Sequence, residues 1–340
     1  MSDRAPGTVY WIDHFVVPIN DVLAYKRFMP QVFGGVLDLE IGLTTAARAR
    51  RSPIGVFYRV GHYHLNGGFL QDKPLPPARP LGSETPRHGF YVRAADFDAH
   101  LRRLDGAGVP YHGPIATSAE GEEGSTIYFA DPDGNQYEFW APKRHPDGAM
   151  ENDNPLRIGR ISHVVQETRD LERTADFYQR YCGLQRIRSS DIPVGTVVLQ
   201  LAGGGRLVFK HVEAIAPRTG GHNWWKGQHT ALTVADDTFL EAYQTLWSGL
   251  AESDYLPYSG VALEGDERTF PARTELHGLQ ARGEAKNSLG RGTFVYDWDG
   301  NNFHFVGGLP LDGGYAHYQA GKDENFQNNP APAVSTLALV

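Results

Sequence analysis

Two rhythms of apolar positions take turns along the chain. Residues 9–37, "VYWIDHFVVPINDVLAYKRFMPQVFGGVL", open with a short apolar run that holds a histidine and then cross a polar turn. A stretch with apolar residues at helical spacing follows and stops at a glycine, which predicts strand, turn and amphipathic helix. The same order returns at 158–185, "IGRISHVVQETRDLERTADFYQRYCGLQ". A second pair, 87–109 and 228–250, again begins a strand at a histidine and enters a helix through an acidic turn. A third pair, "YFADPDGNQYEFW" (128–140) and "FVYDWDGNNFHFV" (294–306), sets an Asp-x-Asp-Gly-Asn turn before a short strand. Self-similarity on this scale marks a duplicated architecture. The pattern predicts four strand-helix-strands units, two per half.

The break between halves falls in "APKRHPDGAMENDNPLR" (141–157), which is polar, rich in Pro, Asp and Asn, and without apolar periodicity. The expected domains are 1–145 and 158–310, followed by an irregular Gly-, Asn- and Pro-rich tail over 311–340. His88 and Glu138 stand 50 positions apart, whereas His229 and His304 stand 75 apart (138 − 88 and 304 − 229). The surplus points to a long loop over 258–292, and a long loop in a compact domain is more often functional than decorative.

Composition narrows the partners. A formal net charge of −8 argues against a nucleic-acid binder, which needs a basic face. No run is long enough to cross a membrane, and the N-terminus lacks the basic and apolar segments of a signal peptide, so a cytoplasmic protein is expected. Cys182 is the only cysteine, which excludes a disulfide framework and a thiolate zinc site. Whether the chain forms a homo-oligomer stays open.

Histidines inside paired strands, together with "DPDGNQYE", resemble the vicinal oxygen chelate superfamily, which includes glyoxalase I, fosfomycin-resistance proteins and type I extradiol ring-cleaving dioxygenases. The resemblance covers roughly residues 9–308. It implies an α+β fold of two vicinal-oxygen-chelate domains, each of two βαβββ units forming an open, cup-shaped mixed barrel with a divalent metal in its mouth. Carried over by position, the first half offers His14, His88 and Glu138 as metal ligands, and the second offers His163, His229 and His304. Some relatives pair the units crosswise. His14 would then join His229 and His304, while His163 would join His88 and Glu138. The resemblance also assigns Tyr128 to the substrate oxygen; Phe294 takes that place in the other copy.

Two imidazoles and a carboxylate suit non-haem Fe(II) and leave open positions on one face. Three imidazoles suit Zn²⁺ as readily as iron. The expected cofactor is therefore Fe(II), with Zn, Mn or Ni as alternatives. The expected activity is extradiol-type cleavage of a small catechol- or hydroquinone-like aromatic with O₂. Tyr128 would act as a hydrogen-bond donor, and His64 as a proton shuttle or extra ligand. A glyoxalase-like Lewis-acid isomerase or lyase is the alternative enzyme, and a non-catalytic small-molecule binder is the alternative outside catalysis. His62 shares a strand face with His64, and His211 stands in the equivalent strand of the other half. Trp224 and Trp225, beside His222, are weaker candidates for a substrate wall, His277 and Arg282 in the long loop for recognition of a polar ring substituent, and Cys182 reads as a helix-end residue.

Overall fold

A computed structural model describes residues 9–41, 55–61, 64–71, 74–117, 121–151, 153–215, 228–234, 293–297, 299 and 301–307; of His64 and His304 only the backbone is described. The first unit runs β1 (Val9–Ile19), α1 (Val22–Phe33), β2 (Val36–Ile41), β3 (Gly55–Val60) and β4 (His64–Leu70). The second runs β5 (Arg87–Tyr91), α2 (Phe97–Gly106), β6 (Tyr111–Thr117), β7 (Gly124–Ala130) and β8 (Gln136–Pro142). The third runs β9 (Ile161–Thr168), α3 (Leu171–Cys182), β10 (Gln185–Ile187), β11 (Thr196–Gln200) and β12 (Arg206–His211). Of the fourth, β13 (His229–Val234), β14 (Thr293–Tyr296) and β15 (Asn302–Gly307) are described.

Helix ends fall where the local chemistry dictates. Asp21 stands before α1 and its carboxylate accepts from the Ala24 amide at 2.9 Å, satisfying one of the first-turn donors. Asp170 does the same for α3, accepting from the amides of Glu172 and Arg173. Both helices stop at a left-handed glycine, Gly34 with φ 62° and Gly183 with φ 68°, a conformation that costs a side-chain-bearing residue more. Cys182 is the last residue of α3 and is buried, and burial pushes its thiol up.

The strands make two sheets, ordered β14-β15-β13-β1-β4-β3-β2 and β10-β11-β12-β9-β5-β8-β7-β6. At the centre of the first, β1 runs antiparallel to β13; at the centre of the second, β5 runs antiparallel to β9. Each cup thus takes one unit from each half, and the crosswise pairing is the one adopted. The strand pairing cuts across the division at 145/158, while the aromatic contacts of the core fall within each half. Phe15 and Phe33 of the first unit meet Phe90 and Tyr137 of the second, and Phe177 and Tyr178 of the third meet Phe303 of the fourth. Each half gathers its own aromatic residues, and the sheets join the halves.

The Asp-x-Asp-Gly-Asn turns hold the two sheets together. Asp131 accepts from the amides of Asp133 and Asn135 and from the Asn135 carboxamide, which also donates to the Pro18 carbonyl of β1 at 2.9 Å. Asp297 likewise accepts from the amides of Asp299 and Asn301 and from the Asn301 carboxamide, which donates to the Glu167 carbonyl of β9 at 3.3 Å. In both cases the turn belongs to one sheet and the strand it grips belongs to the other. Asp299 adds a second grip, accepting from Thr168 Oγ1 at 2.6 Å and from Arg169.

Asn135→Ala and Asn301→Ala should each lower the unfolding free energy by about 1–3 kcal/mol, because each leaves buried acceptors without their donor. Urea unfolding monitored by tryptophan fluorescence is the check. A loss below about 0.5 kcal/mol in both, the range of ordinary surface substitutions, would mean that the turns do not carry the sheet-to-sheet link.

Candidate functional site

Each sheet turns one face toward the helices and one away, and the second face is the cup. In the first sheet, His14, Val16 and Pro18 alternate with Phe15, Val17 and Ile19 of the core, as strand periodicity requires. His14 is fully buried; its ring lies 5.7 Å from that of His229 at 78°, and 6.4 Å from Phe57. The register pairs His14 with Ala231 and Ala231 with His304, so these three positions form one row across β1, β13 and β15. Phe57 packs on Phe69 at 5.7 Å. A Cβ at Gly67 would come within 2.7 Å of Phe57, so glycine there lets the ring lie down on the sheet.

Asp13 completes this cup. The register shifts between Ile12 and His14, and this irregularity brings the Asp13 carboxylate to His14 Nδ1 at 2.6 Å. A carboxylate accepts only, so Nδ1 carries a proton. Such an orienting carboxylate accompanies metal-ligating histidines as a rule. The donors here fit a divalent metal, with His14 and His229 described and His304 on the same row. Among the described residues no cluster of three metal-binding side chains is complete.

The second cup has a different floor. Here Gly89 pairs with both His163 and Glu138, as Ala231 pairs with His14 and His304. Two residues before Ala231 stands His229; two residues before Gly89 stands Arg87. The structural counterpart of His229 is therefore Arg87, and His88 is one position out of step. In a strand one position means the opposite face. His88 accordingly stacks on Phe15 in the core, with ring centroids 3.8 Å apart, and lies across the sheet from Glu138.

Arg87 and Glu138 are both fully buried and bonded through Nε and Oε2. Arg87 also donates to the carbonyls of Ser83 at 2.6 Å and Thr85 at 3.3 Å. Glu138 accepts from His163 Nε2 at 3.0 Å and from Thr126 Oγ1 at 2.7 Å. Burial alone would raise the Glu138 carboxyl, but Arg87 and then His163 outweigh it and hold it well below the usual carboxylate range. The Arg87 guanidinium lies over the Tyr128 ring, 5.2 Å from its centroid. This cup does not fit a divalent cation, because the carboxylate is already saturated and a fixed positive charge stands beside it.

The structure brings the His14 and His229 rings together and places His304 in the row of His14. It gathers His163, Glu138 and Tyr128 in the other cup, and it does not unite His14, His88 and Glu138. Register pairs His14 with Leu65, so His64 falls outside that row. His211 ends β12 and is exposed. His62, His222, Trp224, Trp225, His277, Arg282 and the segments 258–292 and 311–340 lie outside the described residues. Arg87 and Asp13 escaped the sequence reading. The small residues Gly89 and Ala231 were the available cue, since aligning them slides Arg87 onto His229. A cleft of about 180 Å³, lined by Pro18, Arg79, His88, Gln136 and Glu167 among others, opens at the seam between the sheets.

Burial, and secondarily the nearby His163, lowers His88 from 6.5 to about 3. A folded value below the unfolded one means the unfolded chain binds the proton more readily between them. His88 therefore favours the fold fully above pH 6.5, and its contribution fades as pH falls toward 3, at roughly 1.4 kcal/mol per pH unit at most. His88→Phe keeps an aromatic ring against Phe15 and removes this titration. Its unfolding free energy should therefore fall less steeply than the parent's between pH 6.5 and 4, as read by denaturant titrations across that range. Identical slopes would show that His88 does not titrate in this way.

Comparison with known proteins agrees with this architecture. A presumed dioxygenase from Bacillus subtilis superposes with a TM-score of 0.56 over 98% of this chain and 97% of its own, at 14% identity. Glyoxalase I from Zea mays superposes with a TM-score of 0.52 over 93% of this chain and 96% of its own, at 12% identity. At such identities these likenesses speak for the fold alone. No curated protein matches the chain. A family model matches residues 11–139 and 160–249, which span most of the four units built above. The chain belongs to the Glyoxalase/Bleomycin resistance protein/Dioxygenase superfamily.

Proposed function

We propose that the first cup is a divalent-metal centre held by His14, His229 and His304, and that the protein is a metal-dependent dioxygenase acting with O₂ on a small catechol- or hydroquinone-like aromatic. The observation that carries this reading is His14, buried, held through Nδ1 by Asp13 and facing His229. When bound, the ion would supply Lewis acidity and, as Fe(II), the electron that O₂ activation requires. Asp13 fixes the His14 tautomer and makes Nε2 a stronger donor. Phe57 and Phe69 supply a dry aromatic wall beside the imidazoles, suited to the edge or face of a planar ring. Tyr128 stands in the other cup and takes no part in this reading.

A second reading is a Lewis-acid isomerase or lyase using Zn²⁺ or Ni²⁺. What favours it is the donor set: with Glu138 in the other cup, the three candidate ligands His14, His229 and His304 are all imidazoles. Neutral ligands leave an ion its full charge, which strengthens Lewis acidity and holds Fe(III) less well than a carboxylate would.

Metal analysis of anaerobically purified protein should find an ion that is lost in His229→Ala. Asp13→Asn should weaken binding by about 10–100-fold, the usual scale for an orienting partner. Full metal retention in both variants would place the ion elsewhere. Fe(II)-loaded protein should take up O₂ when given a panel of catechols and hydroquinones, and Zn-loaded protein should not. Flat oxygen-electrode traces, alongside turnover of another substrate by the Zn form, would decide for the isomerase.

A further inference from the structure

The two cups are built on the same register and differ at two of three corresponding places. His14 matches His163, His229 matches Arg87, and His304 matches Glu138. We infer that the second cup is a metal-binding cup closed from within: the Arg87 guanidinium fills the place of a divalent cation, and Arg87 is what keeps His163 and Glu138 from ligating one.

The two exchanges are coupled by charge. Glu138 has no exposed surface and cannot stay ionised there without a cation beside it. Either a metal ion or a guanidinium can serve, and the chain supplies the second. The guanidinium also spends its donors as a metal spends its coordination positions. Nε goes to Glu138, and one terminal nitrogen goes to the carbonyls of Ser83 and Thr85, so the 83–85 segment is drawn over the cup. Gly89 then lets His163 lean across the floor to Glu138, since a Cβ there would stand 2.3 Å from the His163 ring. Ala231 carries a Cβ at the same place beneath His14, which is turned to Asp13 instead. His163 thus already meets Glu138 at the oxygen that Arg87 holds, Oε2, and only a third ligand is missing.

Replacing Arg87 with histidine places an imidazole at the counterpart of His229. It completes a set of two histidines and one carboxylate, which suits Fe(II), Co(II) or Zn(II). The inference does not depend on metal in the first cup, and the count is made so that the two are separable. In a His229→Ala background, Arg87→His should add one equivalent of Co(II), seen as ligand-field absorbance at the equivalence point of a titration. The melting temperature of that chain should rise with metal, while that of His229→Ala alone should not. An unchanged metal count in His229→Ala alone would count against the first-cup reading and leave this one standing. Absence of the added equivalent in the Arg87→His chain overturns it.

The apo form of that chain buries an unpaired carboxylate and is expected to be poorly folded until metal is added. Failure to fold with metal present, while the charge-free pair Arg87→Met with Glu138→Gln folds, would also overturn the inference. In the otherwise native chain, Glu138→Gln should leave metal content unchanged. Loss of one equivalent there would show that the cup already holds an ion and that Arg87 is not its substitute.

Discussion

A carboxamide that bridges two sheets is the constraint on which this architecture rests. Asn135 and Asn301 each satisfy the carboxylate of their own turn and a strand-end carbonyl of the opposite sheet. A buried carbonyl left without a donor is costly, so the turn can sit in only one place relative to that strand. Two such links, related by the duplication, set how the units of each half stack back to back. Once they are stacked, β1 and β5 present their free edges toward the other half. The second duplicate supplies β13 and β9 to cover those edges, and the crosswise pairing follows.

This arrangement separates two jobs that a single domain would combine. The aromatic core lies within each half, where Phe33 alone touches Phe90, Phe129, Tyr137 and Phe139. The cups lie between halves, so their floors draw on strands from both. Substitutions on a cup face need not disturb a core, because alternate residues of the same strand serve the two faces. His14 and Phe15 show it directly: one faces His229, the other stacks on His88.

Freed in this way, the cups took opposite electrostatic solutions. The first gathers imidazoles and backs one of them with Asp13. The second pairs a fully buried carboxylate with a fully buried guanidinium and completes it with His163 and Thr126. A lone buried charge is untenable, and in the second cup the guanidinium of Arg87 answers it.

The repeats, the helix ends and the Asp-x-Asp-Gly-Asn turns were legible in the sequence, because each rests on local chemistry: capping carboxylates, left-handed glycines, and a side chain that bonds its own backbone a few residues on. So was the α+β fold of two cups. Strand pairing was not, since His14 has the same neighbours in the chain whichever strand lies beside it. Nor was the role of His88. "RHG" offers an arginine and a histidine one residue apart, and in a strand they must face opposite sides. Which side is the cup depends on the register against β9 and β8, where Gly89 meets His163 and Glu138. That register is a property of three strands far apart in sequence, so only the tertiary structure could decide that Arg87 belongs to the site and His88 to the core.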